Sequence, residues 1–306
     1  RGALFGMSIF AGTISVMALD GLIRRWNMRR MFYQGDDFMK ETALDRFIRL
    51  CYDGFLQGWH ERNGGNLSYR MKHDEVDQLK SILYSYGRKV DLQIDAKDLA
   101  GEYFIVTGSG RYMRNVPLEP EKNIGIIRIN DEGDGYEIVW GLEDGAKPTS
   151  ELPSHLMNHI ARKSVTNGEC RVIYHAHPAN ITALTYTIAP DAKTLSRILW
   201  QSETECAVVF PEGVGILDWM VPGSVEIAKA TSELIKKYSA VVWCFHGIFG
   251  SGRDFDETFG LIHTIEKAAE IYLKAKSATI TRTISDEELR VLAKAFGVEL
   301  NKDFLD

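Results

Sequence analysis

Cysteine is scarce in this chain of 306 residues: Cys51, Cys170, Cys206 and Cys244 lie far apart, and none falls in a CxxC pair. That spacing argues against a disulfide framework and suits small buried hydrophobes in a reducing compartment. Basic residues do not dominate either, with 36 Lys and Arg against 42 Asp and Glu and a net charge of −6. A general nucleic-acid coat needs a strongly basic face, so that class is excluded, whereas a small anionic substrate needs only one local site. There is no Walker A pattern and no GxGxxG, so nucleotide phosphates are not the obvious ligand. No internal repeat and no low-complexity tract is present, which removes solenoids and propellers. No Pro/Ser-rich linker divides residues 36–306. What remains, at 45% hydrophobic and 25% charged residues, is the composition of an ordinary globular protein.

The exception is the N-terminal stretch. Gly2 to Leu19 carries no charge, and eighteen such residues reach about the lower limit for a membrane span. Arg24, Arg25, Arg29 and Arg30 follow it, as a cytoplasmic flank would. Three glycines, two serines and a threonine dilute its apolarity, and the basic residues sit on the wrong side for a signal peptide. The expectation is an unmatched extension over residues 1–35, as a gene-model artefact or a hydrophobic leader, with a start at Met28, Met31 or Met39. The folded domain is then expected over residues 36–306.

Along that domain the apolar residues Phe38, Leu44, Phe47, Ile48, Cys51, Phe55 and Trp59 fall at helical spacing, and Gly64-Gly65 break the pattern. A polar helix is expected over 74–86. Strands are expected over 103–107, 124–130, 136–140, 171–177, 206–210 and 239–245, each punctuated by Gly, Pro or Asp. Helices are expected from Ser224 to Lys237, after the Asp254/Glu257 pair, and from the Ser285/Glu288 pair to Gly297. The turn Asp131-Glu132-Gly133-Asp134-Gly135 joins two of the strands as an antiparallel hairpin. This alternation predicts one α/β domain with a largely antiparallel or mixed sheet and helices packed on it.

Chemistry concentrates in the histidines. His175 and His177 alternate along a strand, so both rings face the same side about 7 Å apart along the chain. His246 closes another apolar strand, followed by Gly247, and can join them at the same sheet end. Three neutral imidazoles leave a coordination position open, as in catalytic zinc sites. A rival set, Glu151, His155 and His159, has i, i+4, i+8 spacing. Pro153 starts the helix after Glu151, however, which separates the glutamate from the two histidines. His155 and His159 are then expected in packing or hydrogen-bonding roles, and His60, His73 and His263 on the surface or a helix face. Three loops supply amide and hydroxyl donors: Asn63-Gly64-Gly65-Asn66, Thr107-Gly108-Ser109-Gly110 and Thr149-Ser150-Glu151. Backbone nests of this kind bind phosphate without lysine. With the histidines they suit a phosphorylated small molecule, held at one end and chelated at the other.

Taken in order, GWHERNGGNLS, FIVTGSGRYMRNV, WGLEDGAKPTSELPSH, VIYHAHPANITALTY, SETECAVVFPEGVGILDWMVPG and WCFHGIFGSGRDFDETFGLI resemble the class II (zinc) aldolase and adducin-head family. The resemblance runs from about Asp36 to the C-terminus. It implies a three-layer αβα domain with a central, mainly antiparallel sheet between helices, and a cytoplasmic homotetramer with active sites at subunit interfaces. It implies one Zn2+ per subunit on His175, His177 and His246, and Glu151 as acid/base. Asn63, Asn66, Ser109, Gly110, Thr149 and Ser150 would line the phosphate site, and Glu205 would reach the aldehyde half of a neighbouring subunit's site. The implied reaction is reversible cleavage of L-rhamnulose 1-phosphate into dihydroxyacetone phosphate and L-lactaldehyde. Fuculose 1-phosphate cleavage, ribulose 5-phosphate 4-epimerisation and a non-catalytic scaffold are the alternatives within the family. None of the motifs requires a lysine, which disfavours a Schiff-base aldolase.

Overall fold

Short β-branched runs pair here into one sheet. The computed structural model describes residues 41–85 and 87–306, so the expected 1–35 extension, its candidate start sites and Phe38 lie outside the described residues. The strands are β1 (Asn66–Arg70), β2 (Arg88–Asp91), β3 (Tyr103–Thr107), β4 (Ile124–Ile129), β5 (Gly135–Gly141), β6 (Val172–Ala176), β7 (Gly215–Leu217), β8 (Ala240–Trp243) and β9 (Gly247–Gly252). They form a nine-stranded mixed sheet in the order β2-β5-β4-β3-β1-β6-β9-β8-β7. Among the described residues every pairing is antiparallel except β7 with β8. That parallel pair needs a crossover, and the helix Val225–Leu234 supplies it.

Side chains alternate between two buried populations, as the pleat requires. In β3, Ile105 joins the largest core cluster while Phe104 and Val106 join a second one. In β6, Val172, Tyr174 and Ala176 belong to the largest cluster and Ile173 to a third. Both faces of the central strands are therefore buried. Phe47, Leu50 and Cys51 of the helix Ala43–Leu56 and Ile262 and Ile265 of the helix Phe255–Lys276 pack into the largest cluster. Caps fix where these helices begin. Thr42 and Asp45 form a reciprocal capping box, as do Ser285 and Glu288, and Asp254 accepts the amide of Glu257.

Several expectations are corrected. Residues 206–210 are not a strand: Cys206–Val209 is a single helical turn. A four-residue apolar run carries no period of its own, and this one docks beside the helices Ala192–Ser202 and Phe255–Lys276. The 74–86 helix shortens to His73–Leu79, and Tyr86 lies outside the described residues. The 239–245 strand ends at Trp243. Strands β1, β2, β7 and β9 were not legible. In β9 the reason is visible: Gly252 sits where a Cβ would come 2.5 Å from Thr258 Oγ1 and 3.1 Å from Thr258 N. A helix presses on this strand, so the glycines that erase its sequence signal are needed for the contact. No helix among the described residues is long and apolar enough to cross a membrane.

Candidate active site

Strand β6 fixes the first ligand candidate. His175 is buried, and its ring stacks on Phe249 of β9 at 4.4 Å between centroids. Its Nδ1 donates to the carbonyl of Ile248 at 3.1 Å, which leaves Nε2 with a free lone pair. His177 lies just past the strand end. Its Nδ1 meets Glu61 Oε1 at 2.7 Å, so its Nε2 is likewise turned outward. Such outer partners orient metal-binding imidazoles and raise their basicity.

His246 arrives differently from the sequence expectation. It is not in a strand but in the three-residue turn Cys244-Phe245-His246 between β8 and β9. Phe245 takes the left-handed conformation at φ 63°, a geometry that three-residue hairpin loops use. Its amide is held by Thr185 Oγ1 at 3.1 Å. The turn brings His246 Nε2 to 3.2 Å from the Nε2 atoms of both His175 and His177, which are themselves 3.2 Å apart. A tetrahedral ion with bonds of about 2.0–2.1 Å to nitrogen spans N···N edges of about 3.3 Å. The triangle therefore fits a zinc-like ion with a fourth position open. It is the one group of this kind among the described residues. Burial holds His175 well below the usual imidazole range and takes His246 to about 4, so both rings are neutral and ready to coordinate at pH 7.

Glu151 stands at the edge of the triangle, with Oε2 3.8 Å from His175 Nε2. It precedes the helix Leu152–Val165, which agrees with the reading of Pro153 that set it apart from His155 and His159. Burial pushes its carboxyl above the usual carboxylate range, opposed by the Asn66 amide, which donates to Oε2 at 2.8 Å. A carboxyl in that setting exchanges protons more readily near neutrality.

The three donor-rich loops lie together. Leu67 N donates to Thr107 Oγ1 at 3.1 Å, Thr149 N donates to Thr107 O at 2.8 Å, and Glu151 N donates to Thr149 Oγ1 at 3.3 Å. Ser109 N donates to Lys147 O at 2.8 Å, which ties the second loop to the third. Asn63, Ser109, Gly110 and Ser150 are exposed there, while Thr149 and Asn66 are buried. The first loop is built tightly against the ligands. Gly65 is left-handed at φ +73°, and a Cβ on it would come 2.8 Å from His175 O; one on Gly64 would come 2.9 Å from His177 Nδ1. Only glycine lets that backbone pass.

His60 corrects an expectation. It is not a surface residue but buried, with Nδ1 bonded to Gly64 O at 3.0 Å and Nε2 to Tyr174 Oη at 2.6 Å. It holds the glycine loop from beneath. His73 and His263 are exposed on helices, as expected. His155 and His159 are buried and hydrogen-bonded. Glu205 is not in the group that His175, His177 and His246 form: it is exposed and precedes the short helix Cys206–Val209. Sequence reasoning missed Glu61 and Ser68, whose partners are 116 and 87 residues away.

Residues 45–273 match the family described as Class II Aldolase and Adducin N-terminal domain. A rhamnulose-1-phosphate aldolase of Mannheimia succiniciproducens is 48% identical over 82% of this chain and 93% of its own length. One from Klebsiella pneumoniae is 46% identical over 87% of this chain and 99% of its own length. Among solved structures, a sugar-phosphate aldolase from Thermotoga maritima superimposes with a TM-score of 0.66 at 30% identity, covering 77% of this chain and 95% of that one.

Proposed function

Because the chain belongs to the class II aldolase and adducin N-terminal domain family, we propose that it is a zinc-dependent aldolase that reversibly cleaves L-rhamnulose 1-phosphate to dihydroxyacetone phosphate and L-lactaldehyde. The observation that carries this reading is the triangle of three Nε2 atoms at 3.2 Å with the Glu151 carboxylate 3.8 Å from one of them. The substrate follows from relatives of that name at 46–48% identity.

His175, His177 and His246 hold the ion, and zinc is the choice for three imidazoles in tetrahedral spacing. When bound, it supplies Lewis acidity to the ketone and neighbouring hydroxyl oxygens, where negative charge develops. The residues of the chain do the rest. The loops carrying Asn63, Asn66, Ser109, Gly110, Thr149 and Ser150 bind the phosphate through amides and hydroxyls. In the cleavage direction the C4 hydroxyl gives its proton to solvent water, its freed electron pair forms the aldehyde carbonyl, and the C3–C4 bond breaks with its pair passing to C3. Glu151 then delivers a proton to C3, and in synthesis it removes that proton. The helices cover the sheet in three layers, which the burial of both faces of β3 and β6 supports. The assembly is a cytoplasmic homotetramer in which Glu205 serves a neighbouring subunit's site, a role compatible with its exposure.

Two measurements test the proposal. Cleavage of rhamnulose 1-phosphate, fuculose 1-phosphate and ribulose 5-phosphate is compared side by side; the first is expected to be fastest, and epimerisation of the third without triose release would overturn it. Glu151→Gln is expected to keep its zinc and lose about 10²–10⁴-fold in C3 proton exchange of dihydroxyacetone phosphate. Unaltered exchange would remove Glu151 from the role.

A further inference from the structure

Behind Glu151 a line of polar side chains runs into the core. His155 and His159 are one turn apart on the helix Leu152–Val165, and both are fully buried. Ser68 of β1 lies between them, its Oγ 2.7 Å from His155 Nδ1 and 2.8 Å from His159 Nε2. His155 Nε2 bonds Asn66 Oδ1, and Asn66 Nδ2 bonds Glu151 Oε2 at 2.8 Å. The rings are wedged edge-on against Phe249 and Phe104. An apolar residue at either histidine position would fill this space, so the polar chain calls for its own reason.

The chemistry of each group fixes which way the hydrogen bonds run. A carboxylate only accepts, so the amide nitrogen of Asn66 must face Glu151 and its oxygen must face His155. That oxygen also only accepts, so His155 carries its proton on Nε2. Burial takes the His155 pKa down to about 3, so the ring is neutral and its Nδ1 accepts from the Ser68 hydroxyl. Ser68 Oγ in turn accepts from His159 Nε2–H. His159 Nδ1 is then a bare lone pair, and it is indeed buried with no partner among the described residues. The reverse polarity would leave the same nitrogen without a partner, now as a donor, and so gains nothing there. It would also turn the Asn66 oxygen toward Glu151. One direction is selected, and it ends on the carboxylate.

We propose that His155, oriented by Ser68 and His159, is a positioning residue for the aldol site. It locks the Asn66 amide so that a fixed N–H donor holds Glu151 Oε2 beside the metal-binding triangle and leaves Oε1 for the substrate carbon. This rests on the reading of Glu151 as the acid/base. A carboxylate without that donor swings freely about its side-chain torsions, and misplacement of a reacting group by about 1 Å costs roughly 100-fold in rate.

The experiment compares His155→Phe, His155→Gln, Ser68→Ala and Glu151→Gln by zinc content, unfolding midpoint, kcat and KM. His155→Phe keeps the volume and removes the donor. It is expected to lower kcat about 100-fold with KM within about threefold and one zinc per chain. His155→Gln restores an N–H toward Asn66 and is expected to recover most of the loss, which a merely structural histidine would not predict. Ser68→Ala deletes one hydroxyl and is expected to lower kcat about tenfold; it keeps the test decisive if His155→Phe does not fold. Parental kcat in Ser68→Ala and in any folded His155→Phe, or equal losses in the Gln and Phe variants, would overturn the proposal. If Glu151→Gln is inactive while His155→Phe is active, only the positioning role fails. An active Glu151→Gln would overturn the acid/base reading itself.

Discussion

Glu61 shows how much of this site depends on single side chains outside the ligand set. It is largely exposed, yet its carboxylate takes the Nδ1–H of His177 at 2.7 Å. Removing such an outer partner lowers metal affinity by about 10–100-fold, so Glu61→Gln is expected to retain the fold and bind zinc more weakly in a competitive chelator titration. Unchanged affinity would mean that His177 is oriented by its backbone position alone. Buried imidazoles also set a pH response. Burial takes His60 to about 4 and His155 to about 3, both below the unfolded value of about 6.5. A depressed value means that the unfolded chain binds the proton first. The stabilisation is complete above about pH 6.5 and is lost progressively as the pH falls toward 4 for His60 and 3 for His155. In chelator, urea unfolding of the His155→Gln variant is expected to depend less on pH over that window, by about 1.4 kcal/mol per pH unit. Parallel pH profiles would argue that the histidine is protonated in the native state.

At the level of elements, the site is an intersection of two strand ends and a turn. β6 carries His175 and delivers His177, the β8–β9 turn delivers His246, and β1 begins at Asn66 beside them. Strand β9 is the element on which these depend, since it pairs with both β6 and β8. Its contact with the helix Phe255–Lys276 leaves no room at Gly252. Gly252→Ala is therefore expected to cost about 1–3 kcal/mol in urea unfolding by forcing Thr258 away. It lies at the end of β9 remote from His246, so the variant is expected to bind zinc at the parental affinity once folded. A neutral effect on stability would show that the helix shifts freely on the sheet. The same glycines explain why β9 was not read from the sequence, while β3 and β4, with their β-branched runs, were. The turn residue His246 was assigned to a strand for a related reason: the apolar run AVVWCF continues past the point where the backbone turns.

For the whole molecule, Glu205 poses the decisive question, because it is exposed and stands outside the group formed by His175, His177 and His246. If sites form between subunits of a cyclic tetramer, co-assembly of Glu151→Gln and Glu205→Ala subunits rebuilds intact sites from two defective chains. At equal random mixing about one site in four is expected to be whole, measured as retro-aldol activity above that of either variant alone. No recovery would place Glu205 outside the reaction. What the sequence determined by itself was the set of reactive groups: the HxH pair, His246, Glu151 and the three donor loops are local in sequence and carry their chemistry in their residue types. The strands with unbroken β-branched runs and the capped helices were equally local. Only the tertiary structure decided how those groups act together. The equal Nε2 spacing, the Glu61 contact, the burial of His60 and the chain from His159 through Ser68 and Asn66 to Glu151 join residues that are up to 116 apart. A sequence pattern records which side chain occupies each position, but hydrogen-bond direction and desolvation depend on neighbours that only the folded sheet supplies.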